Sequence, residues 1–139
     1  MIDCISALEY IPQRPPFVMV DDILYCDLEL CKTEFHIRED NLLVCNGTFL
    51  EAGLMENMAQ SCAARIGYVC VCIKHEPIRV GVIGAVKNFH IFRRPRVGEV
   101  LQTEVVPVSE FFDMMVLDVW VRCNDELIAD AELKVALMD

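Results

Sequence analysis

A carboxylate and a carboxamide four residues apart, Glu56 and Gln60, stand inside an otherwise apolar stretch, MENMAQSCA. On a helix that spacing puts both on one face, with Asn57, Ser61 and Arg65 beside or below them. A carboxylate among apolar neighbours is costly unless it is partnered or functional. The functional use is general acid chemistry or the orientation of water; the structural use is an ion pair with an arginine or bonds from backbone donors. Of the three histidines, His36 and His90 fall in strand patterns and His75 in a turn. Each reads as a surface or packed imidazole, and His36 is the best placed to act as a base. Cys45 precedes the helix but has no fixed cationic neighbour in the sequence to activate it, so it reads as an inert thiol. Arg93, Arg94 and Arg96 gather positive charge near Lys87, which suits an acidic partner or a solvated strand end.

The element that must position Glu56 runs from Thr48 to Lys74. Thr48 and Glu51 have the spacing of a capping box, so the helix is predicted to begin near Phe49. Apolar residues from Leu54 to Ile73 cover most of its circumference, so it must be surrounded. Before it, residues 4–10 are predicted as a short helix ended by Pro12. Residues 17–26 and 28–37 form a hairpin of two strands, and residues 39–47 form a loop that leads to the helix. After it, strands are predicted over 78–92, 100–108, 112–123 and 127–137. Gly81 and Gly84 mark a bulge or close backbone approach. The alternation of Leu127, Ala129, Ala131, Leu133, Val135 and Leu137 with Asp130, Glu132 and Lys134 is the clearest half-buried strand. A twisted antiparallel sheet curled around one long helix satisfies this order.

The 139 residues make one domain, 1–139, large enough for a sizeable core. An apolar fraction of 55% and a mean hydropathy of +0.37 are high for a small chain, yet no apolar run is long enough to span a bilayer. The surplus points to a buried subunit interface or a tunnel for an apolar ligand. The amino-terminal stretch MIDCISALEY lacks the pattern of a secretory signal, which gives a cytoplasmic expectation with no membrane partner. The eight cysteines lie in apolar periodic segments and read as reduced structural thiols. Neither Cys70 with Cys72 nor Cys26 with Cys31 is followed by the spacing of a zinc site, and neither a metal nor an organic cofactor is implied. A net charge of −10 argues against nucleic acid.

Three blocks, taken together, carry a family resemblance. IPQRPPFVMVDDIL resembles the Leu-Pro-His-Arg-x-Pro-Phe-Leu-Leu-Val-Asp opening of the hotdog-fold 3-hydroxyacyl-acyl-carrier-protein dehydratases. MENMAQSCA is similar to the Glu-Ala-Met-Ala-Gln start of their central helix, and KNFHIFRRPRVGEVL to their later Phe-x-Arg-Pro-Val-x-Pro-Gly-Asp strand and turn. The resemblance implies an α+β hotdog fold and a homodimer or heterodimer of hotdog subunits with two composite sites. It implies an acyl thioester, on acyl carrier protein or coenzyme A, as substrate. It places Glu56 on the catalytic carboxylate and Gln60 on the family's glutamine. Gly53 is assigned by analogy to a helix-start N–H that polarises the thioester carbonyl, and Asn57 and Arg94 complete the candidate substrate contacts.

The Gly-His-Phe-Pro-Gly motif that supplies the family's histidine has no counterpart: the sequence reads LVCNGTFLEAG, with Gln13 where many relatives have histidine in the opening block. Dehydration needs a base for the α-proton, an acid for the departing hydroxyl and dipoles for the enolate-like oxygen, and here the base is missing. A histidine-free loop before such a helix resembles dehydratase-like proteins of aryl polyene and related pathways, some of which partner an active dehydratase. The leading expectation is a thioester-binding, dehydratase-like subunit, weak or inactive alone. The alternatives are an active dehydratase with His36 as relocated base, a thioesterase in which Glu56 activates water, and a binding module in which Glu56 is structural.

Overall fold

The computed structural model describes residues 4–138; residues 1–3 of the amino-terminal stretch and residue 139 lie outside the described residues. In chain order, β1 (Ile5–Ser6) leads into a single 3-10 turn, Ala7–Glu9, where a short helix over residues 4–10 was expected. A strap containing Pro12, Pro15 and Pro16 leads to β2 (Asp22–Cys26) and β3 (Cys31–His36), the expected hairpin with its first strand starting later. β4 (Val44–Cys45) and β5 (Thr48–Phe49) form a miniature hairpin over Asn46 and Gly47, at φ of 52° and 76°. Asn-Gly suits a two-residue turn that needs positive φ at both positions.

That hairpin corrects the expected capping box. Thr48 is paired with Cys45 as a strand residue, and α1 (Glu51–Tyr68) starts from Leu50 with no side-chain cap. Glu51 instead binds Arg94. The helix continues as a wider π turn over Val69–Ile73, closed by the Lys74 N–H donating to the Val69 carbonyl.

After α1 come β6 (Val80–Ile91), β7 (Val100–Phe111), β8 (Met114–Cys123) and β9 (Glu126–Met138). The seven-stranded sheet has the order β1-β2-β3-β7-β8-β9-β6, antiparallel throughout. Period-2 patterning fixes its inner face: Met115, Leu117, Val119 and Val121 of β8 are buried, as are Ala129, Ala131, Leu133 and Val135 of β9. The sheet curls around α1, whose Leu54 and Met58 are fully buried with Phe35, Phe49 and Leu101. The register of β6 against β9 slips between Ile83 and Ala85, so the bulge falls at Gly84. Gly81 permits the close approach: a Cβ there would lie 2.7 Å from Val135 Cγ1 and 2.8 Å from Ile66 Cδ1. One long helix wrapped by an antiparallel sheet is the hotdog fold, as the sequence blocks implied.

Candidate active site

The helix is not surrounded on every side by its own chain. Glu51, Ala52 and Glu56 are exposed and Met55, Ala59 and Ala63 half-buried, so one stripe of α1 faces outward. Glu56 is on this stripe and corrects the expectation of a carboxylate sunk in the core. The sheet covers the opposite side, where Leu54, Met58 and Cys62 point inward; burial pushes the Cys62 thiol up to about 12.

Glu56 is nonetheless oriented. Gln60 Nε2 donates to Glu56 Oε2 at 2.9 Å, the i, i+4 contact that the spacing predicts. The same amide group donates to the Phe17 carbonyl at 2.9 Å, while Gln60 Oε1 accepts the Met19 N–H at 2.6 Å. One helix turn earlier Asn57 Nδ2 donates to the Met19 carbonyl at 2.7 Å, and Asn57 Oδ1 accepts from Thr103 Oγ1 at 2.6 Å. Gln60 and Asn57, both fully buried, thus fasten residues 17–19 to α1. These segments would otherwise bury unpaired backbone groups. Of the two polar residues beside Glu56, only Gln60 reaches it.

Gly53 is buried, and its N–H donates to the Leu50 carbonyl at 2.9 Å inside the first helical turn, which corrects the expectation of an exposed donor there. It must be glycine because a Cβ would lie 2.4 Å from the Phe49 ring. Arg94 is brought to the helix start, where its guanidinium donates to Glu51 Oε1 at 2.8 Å. Its neighbour Arg93 grips Glu99 with two bonds, at 2.9 and 3.0 Å, and Glu126 with a third at 3.1 Å. These bonds, led by the Arg93 guanidinium, hold the Glu99 carboxyl down at about 2. Two of the three arginines in the expected basic patch are therefore neutralised within the chain.

His36 sits exposed at the end of β3, its ring Nε2 3.3 Å from Glu34 Oε1 and its N–H on Asp21 Oδ2. It lines a groove with Asp21, Arg38 and Asn41, which Glu56 does not line. His90 pairs with Asp130 at 2.9 Å. Cys45 is exposed in β4. Among the described residues no cluster of histidine, cysteine and carboxylate is gathered for a metal, and no helix is long and apolar enough to cross a membrane.

The sequence pointed to a tunnel for an apolar ligand without placing it; the structure has a cavity between α1, the strap Glu9–Arg14 and β6, with Ala59, Cys62, Ala63 and Ile66 as its helical wall and Glu56 outside its lining. The signal was present: both alanines are at i+3 and i+7 from Glu56, leaving space where larger side chains would fill the stripe.

Comparison with solved structures agrees with this architecture. The dehydratase heterocomplex ApeI:P from Xenorhabdus doucetiae superposes with a TM-score of 0.88 at 13% identity, over 97% of this chain and 92% of that one. A hypothetical thioesterase protein with coenzyme A from Streptococcus pneumoniae gives 0.68 at 12% identity, over 84% of each chain. A Streptococcus mutans protein, smu.793, bound to acetyl coenzyme A gives 0.72 at 12% identity, over 93% of this chain and 96% of that one. At such identities these likenesses speak for the fold. No curated protein sequence matches the chain. The family comparison adds what the fold does not: residues 5–139 match the ApeP-like family, described as ApeP dehydratase, and with that match over nearly its whole length the chain belongs to the ApeP-like dehydratase family.

Proposed function

We propose that this chain is the carboxylate-bearing, acyl-thioester-binding subunit of a two-subunit dehydratase, with Glu56 acting beside an imidazole from a related hotdog partner. The observation that carries this reading is Glu56 itself: oriented by Gln60 and exposed on the outward stripe of α1, with His36 in a groove that Glu56 does not line. The ApeI:P neighbour is described as a heterocomplex, which supports an assembly of this kind. Neighbours with coenzyme A and acetyl coenzyme A support a thioester as ligand.

In this mechanism the partner's imidazole takes the α-proton of a 3-hydroxyacyl thioester. The electron pair forms the α,β double bond as the β-hydroxyl leaves, and Glu56 serves as general acid, a proton passing from its carboxyl to that hydroxyl, which departs as water. The positive end of the α1 dipole favours negative charge at the helix start, where this reading puts the thioester oxygen. Gln60 keeps the carboxyl aimed; Asn57 positions the 17–19 strap and acts on substrate through it. Arg94, tied to Glu51 at the helix start, and the acidic character of the chain leave either carrier, protein or coenzyme A, open to direct comparison. The setting is cytoplasmic.

The test is mass-spectrometric turnover of a 3-hydroxyacyl carrier-protein substrate, scoring enoyl product and released acid together, for the chain alone and with a histidine-bearing hotdog partner. The expected result is negligible turnover alone, enoyl product from the complex, and a loss of about 10²-fold or more in the complex with Glu56→Gln. Enoyl product at ordinary enzymatic rates from the chain alone would overturn the partner requirement and direct attention to His36. Released acid would instead establish thioester hydrolysis, the second reading, favoured by a carboxylate exposed where water can reach it.

A further inference from the structure

Three thiols, Cys26, Cys31 and Cys62, and one guanidinium, Arg65, are buried where β2 and β3 pack on α1, and the acid chemistry uses none of them. Cys26 ends β2 and Cys31 opens β3, and the two face each other in the register of the hairpin. The Asp27 N–H donates to the Leu30 carbonyl at 2.9 Å, so the Cys26–Cys31 pair just inside it is a non-hydrogen-bonded pair of the ladder. Such pairs have Cα atoms about 4.5 Å apart with both side chains on one face, within the range of about 4.4–6.8 Å that a disulfide spans. Both residues are free thiols here.

Arg65, in the last turn of α1, is only 5% exposed. Its Nη2 donates to the Leu28 carbonyl at the tip of the same hairpin, at 3.2 Å, and its Nε has no hydrogen-bond partner. A buried guanidinium served by a neutral carbonyl calls for an anion. Asp27, the carboxylate of the turn, is already held by the Tyr25 hydroxyl and by the N–H groups of Glu29 and Leu30. The Arg65 charge also acts on Cys26, Cys31 and Cys62. Of these, Cys26 keeps 5% of its surface open, while Cys31 and Cys62 keep 0% and 1%. The hydrogen bond from Cys31 holds the Cys26 thiol below its ordinary value; burial opposes this, and Arg65 adds to it. Cys31 moves the other way, raised by that same bond and by burial. As a donor, Cys26 Sγ has a long contact, 3.9 Å to the Asp27 carbonyl.

We propose that Cys26 and Cys31 form a peroxide-reactive dithiol, with Arg65 as the counter-charge of the Cys26 thiolate. The Cys26 sulfur attacks one oxygen of hydrogen peroxide, the O–O bond breaks, and a sulfenic acid forms as the other oxygen takes up a proton and leaves as water. Cys31 then attacks the Cys26 sulfur. The S–S bond forms, the S–O bond breaks, and the Cys31 proton departs with the hydroxyl as a second water. The two thiols are together oxidised by two electrons, and one peroxide is reduced to two waters. Thiol reductants return the pair to its starting state by exchange.

The test treats the full, reduced chain with hydrogen peroxide while it is folded, blocks the remaining thiols with iodoacetamide and maps the peptides by mass spectrometry. The expected product is a disulfide between Cys26 and Cys31 that dithiothreitol reverses, with Cys62 still a thiol once the chain is unfolded. With Cys31→Ser, dimedone should trap a sulfenic acid on Cys26. Arg65→Met removes the charge and keeps a long side chain, so it should slow disulfide formation about tenfold, and Arg65→Lys should restore most of the rate. Circular dichroism checks the fold of each variant. Cys26 and Cys31 left reduced in the parent chain while the exposed Cys4 and Cys45 are oxidised would overturn the proposal, as would a Cys26–Cys31 disulfide that forms only in denaturant. An undiminished rate in folded Arg65→Met would overturn the role of the guanidinium.

Discussion

At the level of single residues, Glu56 and Gln60 look alike in sequence and differ in the structure. The i, i+4 spacing correctly announced their contact, because helix geometry leaves no choice. It could not announce that Gln60 also closes the Met19 N–H and the Phe17 carbonyl, since those groups come from a segment some forty residues away. The two side chains should therefore separate in experiment. Gln60→Met leaves the buried Met19 N–H and the part-buried Phe17 carbonyl without this partner and is expected to cost about 1–3 kcal/mol in denaturant unfolding. Glu56→Gln, at an exposed position, is expected to change stability by about 0.5 kcal/mol or less. A comparable loss of stability in both variants would mean that Glu56 is as structural as its neighbour.

Among the elements, strands were legible wherever apolar and polar residues alternate, and β8 and β9 follow that pattern through their buried positions. The helix start was misread because Thr48 and Glu51 have capping-box spacing while Asn46-Gly47 is a stronger local signal for a hairpin, and Thr48 pairs as a strand. The helix end depends on a contact that no local pattern contains. A Cβ on Gly67 would lie 2.3 Å from the Tyr10 carbonyl oxygen, which is backbone and cannot step aside easily. Helix propensity alone makes Gly67→Ala stabilising by about 1 kcal/mol, whereas this contact makes it destabilising by about 1–3 kcal/mol; chemical denaturation decides the sign. The turn from Arg93 to Glu99 makes a pH prediction. Glu99 is held at about 2 in the folded chain, chiefly by Arg93, against about 4.3 for an unfolded glutamate. Its contribution is full above the unfolded value and is lost as pH falls through the folded one. The melting temperature should therefore fall from about pH 5 toward pH 2, and less steeply in Glu99→Gln.

For the molecule as a whole, the high mean hydropathy of +0.37 pointed to more apolar surface than one chain can bury, and β6 is where much of that surplus lies. Among the described residues β6 pairs with β9 alone, so its second edge carries no strand. Val80, Val82 and Val86 stand exposed along it, with Ile78 before it and Phe92 after it. A long apolar edge of this kind recruits another strand unless charge or proline blocks it, and it borders α1, whose outward stripe carries Glu56. A related subunit added at β6 would extend the sheet and bring its own loops toward that stripe, which is how one interface could supply both the apolar cover and the missing imidazole. Replacing Val82 and Val86 together by lysine places charge on the edge while leaving the inner face of β6 untouched. Light scattering is expected to show the parent chain as a dimer or in complex with its partner, and the double variant at least tenfold weaker in assembly, with unchanged circular dichroism. An assembly that survives both lysines at undiminished affinity would place the interface elsewhere and leave the β6 edge to be explained by some other cover.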